Sequence, residues 1–166
     1  MTVIILPIAK VHAASFRESL NTVARERRYL AMVEAPPLEQ VESFVHSNVA
    51  NDVAQFVAVD GQLVVGWADI LPGHAYAVAH CGGLGMGVLA SYRHQGVGRR
   101  LLEACINKAW SRGITRIQLE ARADNSHAIC LYEHLGFIHE AVKYRGMRID
   151  GEYFETVQMS LLRHEA

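Results

Sequence analysis

The chain has almost no surplus charge of either sign, with sixteen Lys and Arg against seventeen Asp and Glu over 166 residues and a net charge of −1. No broad basic field is available to draw in nucleic acid or an anionic membrane, so neither is an expected partner. Cysteine is scarce. Cys81, Cys105 and Cys130 are an odd number with no CxxC pair, which excludes a disulfide framework and a zinc finger and fits a reducing, cytoplasmic setting. The apolar run at the start, Val3 to Leu6, is only four residues long, stops at Pro7 and has no basic residue before it, so no signal peptide is expected. The longest uncharged stretch, Ile70 to Tyr92, holds Pro72, five glycines, His74 and His80, poor material for a lipid-facing helix. Burial in a protein core is the expectation for it.

With 51% hydrophobic residues and neither a low-complexity linker nor an internal repeat, residues 1–166 are expected to form a single domain. Hydrophobic periodicity predicts a strand at Val3–Leu6, helices at His12–Arg28 and Leu38 to about Asn48, and a hairpin of Gln55–Val59 with Gln62–Ile70 around Asp60-Gly61. The run Arg25–Arg28 reads as a solvated helix end. A third sheet strand is expected over roughly Tyr76–Leu89, where glycines at 82, 83, 85 and 87 suggest a bulge or a close approach to the backbone. Leu101, Leu102, Cys105, Ile106, Ala109 and Trp110 mark a helix that ends at Gly113, and Ile117, Leu119 and Ala121 alternate as a strand. Asp124-Asn125-Ser126 offers cap chemistry for a helix ended by Gly136; Phe137–Tyr144 and Glu152–Leu162 then close the chain as strands around Asp150-Gly151. The fold class is α/β, in the order β-α-α-β-β-β-α-β-α-β-β, with helices on a mixed sheet.

The segment Met86–Gly98, MGVLASYRHQGVG, joins a strand to a helix start through a loop containing Gly96 and Gly98. Unpaired amides at a helix N-terminus attract anions, and glycine lets a diphosphate approach the backbone. Arg93, His94, Gln95, Arg99 and Arg100 are placed to supplement those amides. Gly85-x-Gly87-x-x-Ala90 also satisfies a dinucleotide fingerprint, but no helix opens inside it and positions 106–114 contain no acid, which argues against a Rossmann site.

Arg93-x-x-Gly96-x-Gly98, followed by Asp124-Asn-Ser-His-Ala-Ile-Cys-Leu-Tyr-Glu-His-Leu-Gly-Phe137, resembles the two signature blocks of the GNAT superfamily of acetyl-CoA-dependent N-acetyltransferases. The element order is similar over essentially the whole chain, implying a partly splayed sheet. The ending KYRGMRIDGEYFETVQM looks like bacterial members acting on amino acids or related small amines. The resemblance implies that Met86, Gly87, Val88 and Leu89 run beside the pantetheine arm. It also implies that the amides of His94, Gln95, Gly96, Val97, Gly98 and Arg99 cradle the pyrophosphate, that Asn125 contacts the pantetheine, and that Tyr132 stands near the thioester sulfur. Direct attack by an amine then needs a backbone amide near Val88 or Leu89 for the oxyanion and the Tyr132 hydroxyl as the acid for sulfur.

Many relatives carry a glutamate on the central strand, where this chain reads HCGGLGMG. His80 is a candidate base or a structural histidine, and Glu34 a candidate ammonium ligand or a solvated loop charge. Tyr29–Pro37, His80 and the Tyr144–Tyr153 hairpin are the expected acceptor walls, with Arg145 or Arg148 as an anchor for a carboxylate. Cys105 and Cys130 fall in apolar helical patterns and are expected in the core; His127 and Cys130 share a helix face but lack a second ligand pair, so no metal is expected. The acceptor implied is a small primary amine, with a protein α-amine or lysine, or a non-catalytic acyl-CoA sensor, as the alternatives. Homodimers are common in the resembled family, though no interface is legible in the sequence.

Overall fold

The computed structural model describes residues 2–165. Seven strands form one sheet in the order β1-β2-β3-β4-β5-β7-β6: β1 Val3–Pro7, β2 Ala54–Asp60, β3 Leu63–Pro72, β4 Cys81–Val88, β5 Arg116–Arg122, β6 Ile138–Ile149 and β7 Glu152–Leu162. Helices α1 (Ala13–Arg25) and α2 (Leu38–Ala50) pack on one face, α3 (Val97–Ser111) and α4 (Ser126–His134) on the other. This is the element order expected from periodicity. Among the described residues no helix is long and apolar enough to cross a membrane.

Every neighbouring pair of strands is antiparallel except β4 and β5, which α3 joins as a crossover. That parallel ladder is short. Cys81, Gly82 and Gly83 pair with Arg116, Ile117 and Gln118, and there it stops. Beyond it β4 stays with β3 as far as Val88, while β5 stays with β7 as far as Arg122. The sheet therefore parts into two halves along a gap.

Each face of the sheet has its own core. Leu101, Leu102, Cys105 and Ala109 of α3 meet Ala68, Ile70 and Ile117 on one side; Phe16, Val23, Val41 and Val45 of α1 and α2 meet Val57, Val64 and Trp67 on the other. Among the β4 glycines Gly82 faces the first core, against Ile70 and Ile114, and Gly87 the second. A Cβ at Gly87 would be driven into the Trp67 indole, which lies across the strand and meets Phe16 edge-on with centroids 5.7 Å apart. An aromatic from β3 thus covers a strand that offers no side chain of its own there.

Several expectations need correction. The third strand begins at Cys81 and not near Tyr76: Gly73 N–H donates to the Cys81 carbonyl, and the connection holds a 3-10 turn at Tyr76–Val78 with Tyr76 wholly exposed. Only part of the uncharged stretch is therefore core, since residues 74–80 are exposed. The first hairpin turns on Gly61-Gln62, with Asp60 still paired to Leu63, and only Gly61 of the two has positive φ. β6 runs on to Ile149 because residues 144–146 bulge out between the pairs Lys143↔Thr156 and Met147↔Phe154. α1 stops at Arg25, and Arg27 takes positive φ.

Gly87→Ala is expected to lower stability by about 1–3 kcal/mol through this overpacking. A reduced urea midpoint is the readout; an unchanged midpoint would show that the Trp67 indole moves aside freely.

Candidate active site

A cavity of about 800 Å³ passes through the gap between β4 and β5. From the α3/α4 face it is lined by His94, Gly96, Gly98, Arg99, Asn125 and His127. From the α1/α2 face it is lined by Val23, Tyr29, Leu30, Ala31, Gly146 and Met147. Two reactants entering from opposite faces can meet inside it.

Alternation along β4 decides what its backbone offers the gap. Gly73 N–H donates to the Cys81 carbonyl and Leu89 N–H to the Val65 carbonyl, so odd-numbered residues of the strand face β3. The amides of Met86 and Val88 turn the other way, where no strand stands opposite. Leu89, one of the two positions expected to supply the oxyanion amide, has thus committed its N–H to β3. Val88 retains its own, although its carbonyl accepts from Arg93 Nε at 2.8 Å.

The α3 start has the form expected of an anion site. Gly96 precedes the helix with φ 78°, a left-handed conformation that glycine takes without strain. No side chain caps the first turn, so its leading amides remain for a ligand. The arginines there have other work. Arg93 makes a paired contact with Glu26 (3.0 and 2.5 Å) and lies 4.7 Å over the Tyr29 ring; Arg99 pairs with Glu103; Arg100 donates to the Val3 carbonyl. Arg93 acts as a strut from the loop to β4 and to the end of α1. His94 Nδ1 lies 3.0 Å from His127 Nε2, so the two imidazoles join the loop before α3 to the first turn of α4. Gln95 donates to the Ser91 carbonyl, and Val97 is buried under the helix.

Tyr132 is positioned by how α4 begins and ends. The Asn125 side chain accepts from Ala128 N–H at 3.4 Å, capping the start. At the other end Gly136 has φ 96°; its N–H donates to Glu133, and that of Phe137 donates to the Tyr132 carbonyl. That pair of bonds closes the helix in a Schellman motif and sets Phe137 against the Tyr132 ring, centroids 5.7 Å apart. Tyr132 is buried yet lines the cavity, and desolvation pushes its hydroxyl up to about 12, so the phenol holds its proton at any physiological pH.

The remaining predicted residues are dispersed. His80 is exposed, precedes β4 and lies outside the cavity lining, its ring 3.5 Å from the Cys81 sulfur. Glu34 pairs with Arg25 on the surface. Tyr144 is 81% exposed and Arg145 stacks on Tyr153, as Arg148 does, so the β6 bulge presents Gly146 and Met147 to the cavity in their place. Cys105 is buried as expected, but Cys130 is exposed on the cavity wall because its position on α4 faces the gap. The run Arg25–Arg28 is exposed, as expected of a solvated helix end, but it also makes surface ion pairs. Arg25 holds Glu34, Glu26 holds Arg93 and Arg27 grips Asp150 with two bonds of 2.9 and 2.5 Å, tying the α1–α2 loop to the β6–β7 hairpin.

Two acids beside the gap were not anticipated. Glu120 on β5 lines the cavity, and its oxygens accept from Lys143 at 2.8 Å and Thr156 at 2.6 Å. Partial burial pushes its carboxyl up, but those bonds outweigh the effect and leave it below the usual range, hence ionised. Asp69 on β3 is 9% exposed and is not itself in the lining; it lies directly across from Gly85, which is. The alternation Ile117, Leu119, Ala121 already implied that Glu120 faces the other side of β5. Among the described residues no group of three or more His, Cys, Asp or Glu is arranged to hold a metal ion.

Arg93→Met would leave the Val88 carbonyl and Glu26 without their donor, with an expected stability cost of about 1–3 kcal/mol seen as a lower melting temperature. Unchanged melting would show that the strut carries no load.

Comparison with known proteins gives this geometry its context. The model of the acetyltransferase (GNAT) family matches residues 17–137. An acetyltransferase of the GNAT family from Streptococcus pneumoniae superposes with a TM-score of 0.91 at 26% identity, covering 97% of this chain and 99% of that one. A GNAT superfamily phosphinothricin acetyltransferase from Sinorhizobium meliloti, solved in complex with acetyl-CoA, shares the fold with a TM-score of 0.91 at 17% identity, over 100% of this chain and 91% of that one. The ribosomal protein bS18-alanine N-acetyltransferase of Escherichia coli strain K12 is 46% identical over 52 residues, 31% of this chain and 35% of that enzyme. The match thus spans about a third of the curated relative's length. Matched by the family model from within α1 to just past α4, and by a solved fold over nearly its whole length, the chain belongs to the acetyltransferase (GNAT) family.

Proposed function

We propose that the protein transfers an acetyl group from acetyl-CoA to the primary amine of a small molecule, by direct attack with both reactants bound. The observation that carries this reading is the cavity running through the sheet, with an anion-binding helix start on one side and an apolar chamber on the other.

The residues present fit the donor. The first-turn amides of α3, with His94 and His127 beside them, receive the pyrophosphate, and the free edge of β4 at Met86 and Val88 pairs with the pantetheine as an added strand. Asn125 at the head of α4 completes that wall. The Val88 or Met86 amide donates to charge developing on the acyl oxygen. Tyr132, kept neutral by burial, donates to the departing sulfur. No group on the protein need become acylated, because the amine and the acyl carbon share one chamber.

The acceptor side also narrows the substrate. Its walls are mainly apolar, and Glu120 is its anionic member, suited to an ammonium group. Arg145 and Arg148 stack on Tyr153 outside the lining, and Arg93 and Arg99 in the lining are already paired with Glu26 and Glu103, so a carboxylate on the acceptor meets no uncommitted arginine there. The Arg27–Asp150 contact ties the loop after α1 to the β6–β7 hairpin, the two segments that carry the acceptor walls. These features favour a compact amine with an apolar body. The local likeness to the bS18-alanine enzyme favours a second reading, an N-terminal alanine of a protein.

Free thiol release from acetyl-CoA, measured against apolar amines, polyamines, amino acids and an alanine-terminated peptide, tests both readings. Turnover only with the peptide would overturn the small-amine proposal. Tyr132→Phe is expected to lower kcat by about 10²-fold or more while leaving acetyl-CoA affinity nearly unchanged by calorimetry. An equal loss in affinity and none in kcat would remove Tyr132 from the acid role.

A further inference from the structure

Asp69 is a buried carboxyl for which the acetyl-transfer reading has so far given no role. It sits on β3, nine-tenths buried, and no hydrogen bond or ion pair to it is found among the described residues. Buried carboxyls without partners are costly and therefore uncommon outside functional sites. Its surroundings form a polar row across the sheet on the α2 side. Asn48 of α2 donates to Gln55 Oε1 at 2.8 Å, and Gln55 stands directly across β2–β3 from Asp69 with its Nε2 buried and unpartnered. Asp69 in turn stands directly across β3–β4 from Gly85, which lines the cavity. The three atoms nearest the position that a Cβ on Gly85 would occupy all belong to the Asp69 carboxyl, Oδ1 being 3.4 Å away. At that position β4 interposes no side chain between this acid and the gap.

We propose that Asp69, reached across the bare backbone of Gly85, is the general base that takes the proton of the acceptor ammonium, directly or through one water. The inference rests on the acetyl-transfer reading above and supplies the base that β4 itself lacks.

The two acids beside the gap are set apart by their environments. Glu120 is ionised and occupied by Lys143 and Thr156, a setting for holding a cation. Desolvation alone pushes Asp69 up to about 7, so it exchanges a proton at neutral pH. Its other neighbours do not compete for that role. Gln55 and Asn48 are neutral, β4 presents glycine, and on α3 the Cys105 thiol, pushed upward by burial and then by the charge of Asp69, stays protonated. The ammonium gives one proton to Asp69, which passes it to solvent. The freed lone pair forms the C–N bond as the C–S bond breaks, and the second proton lost by nitrogen ends on the sulfur.

The test is a pH profile of kcat with an amine whose own pKa lies above 9, for wild type, Asp69→Asn, Gly85→Ala and Glu120→Gln. The wild-type rate is expected to rise through an apparent pKa near 7. Asp69→Asn should lose that limb and about 10²-fold or more in rate, with acetyl-CoA binding by calorimetry unchanged. Gly85→Ala, which places a methyl against the carboxyl, should lower the rate and keep the fold. Stability supplies an independent readout. The folded-state value lies above that of an exposed aspartate, so the folded protein holds a proton that the unfolded chain has lost. That stabilisation is full below about pH 4 and is lost as pH rises to about 7, and Asp69→Asn should flatten this decline. An Asp69→Asn enzyme with the wild-type limb and rate overturns the proposal, as does loss of that limb in Glu120→Gln alone. Absence of wild-type turnover with every amine instead overturns the acetyl-transfer reading itself.

Discussion

The structure depends on where β4 and β5 stop pairing. Three residues of parallel ladder hold the two halves of the sheet together, and each half then follows its own antiparallel partner. The twist of each ladder carries the halves apart, leaving backbone amides on β4 that no strand among the described residues satisfies. A longer ladder would fill those amides and close the cavity. The cavity lining is arranged around that deficit: α3 brings an uncapped start to one lip, α4 brings Tyr132, and the loop after α1 covers the other face.

Rigidity around the gap is built mostly from capping and stacking. Leu135-Gly136-Phe137 ends α4 so that the bonds closing the helix also brace the Tyr132 ring. Arg93 joins Val88, Glu26 and Tyr29, so the same residue fixes the lip of the cleft and the first wall of the acceptor chamber. It sits at the head of a motif that suggests phosphate binding, yet its side chain is spent on the protein. The amides of that motif remain available to a ligand.

Much of this was legible in the sequence. Regular alternation and helical stripes gave the order of elements, and the glycine-containing loop before α3 pointed to its anion-binding start. What escaped were features set by partners distant in the chain. Arg25–Arg28 are exposed as expected, but the ion pairs of Arg27 with Asp150 and of Glu26 with Arg93 join segments far apart in the chain. Cys130 fits an apolar stripe, but that stripe faces a gap instead of a core. The three-residue bulge that extends β6 depends on its register with β7, which no local pattern specifies. The acids were missed for a related reason: a carboxylate was sought on β4, while the structure supplies one from each neighbouring strand.

The indole that covers Gly87 has one more consequence. Trp67 is almost fully shielded from solvent, and its ring rests on the backbone that forms the cleft wall. Of the two tryptophans it is the more deeply shielded, and a single strand backbone separates its ring from whatever occupies the cleft.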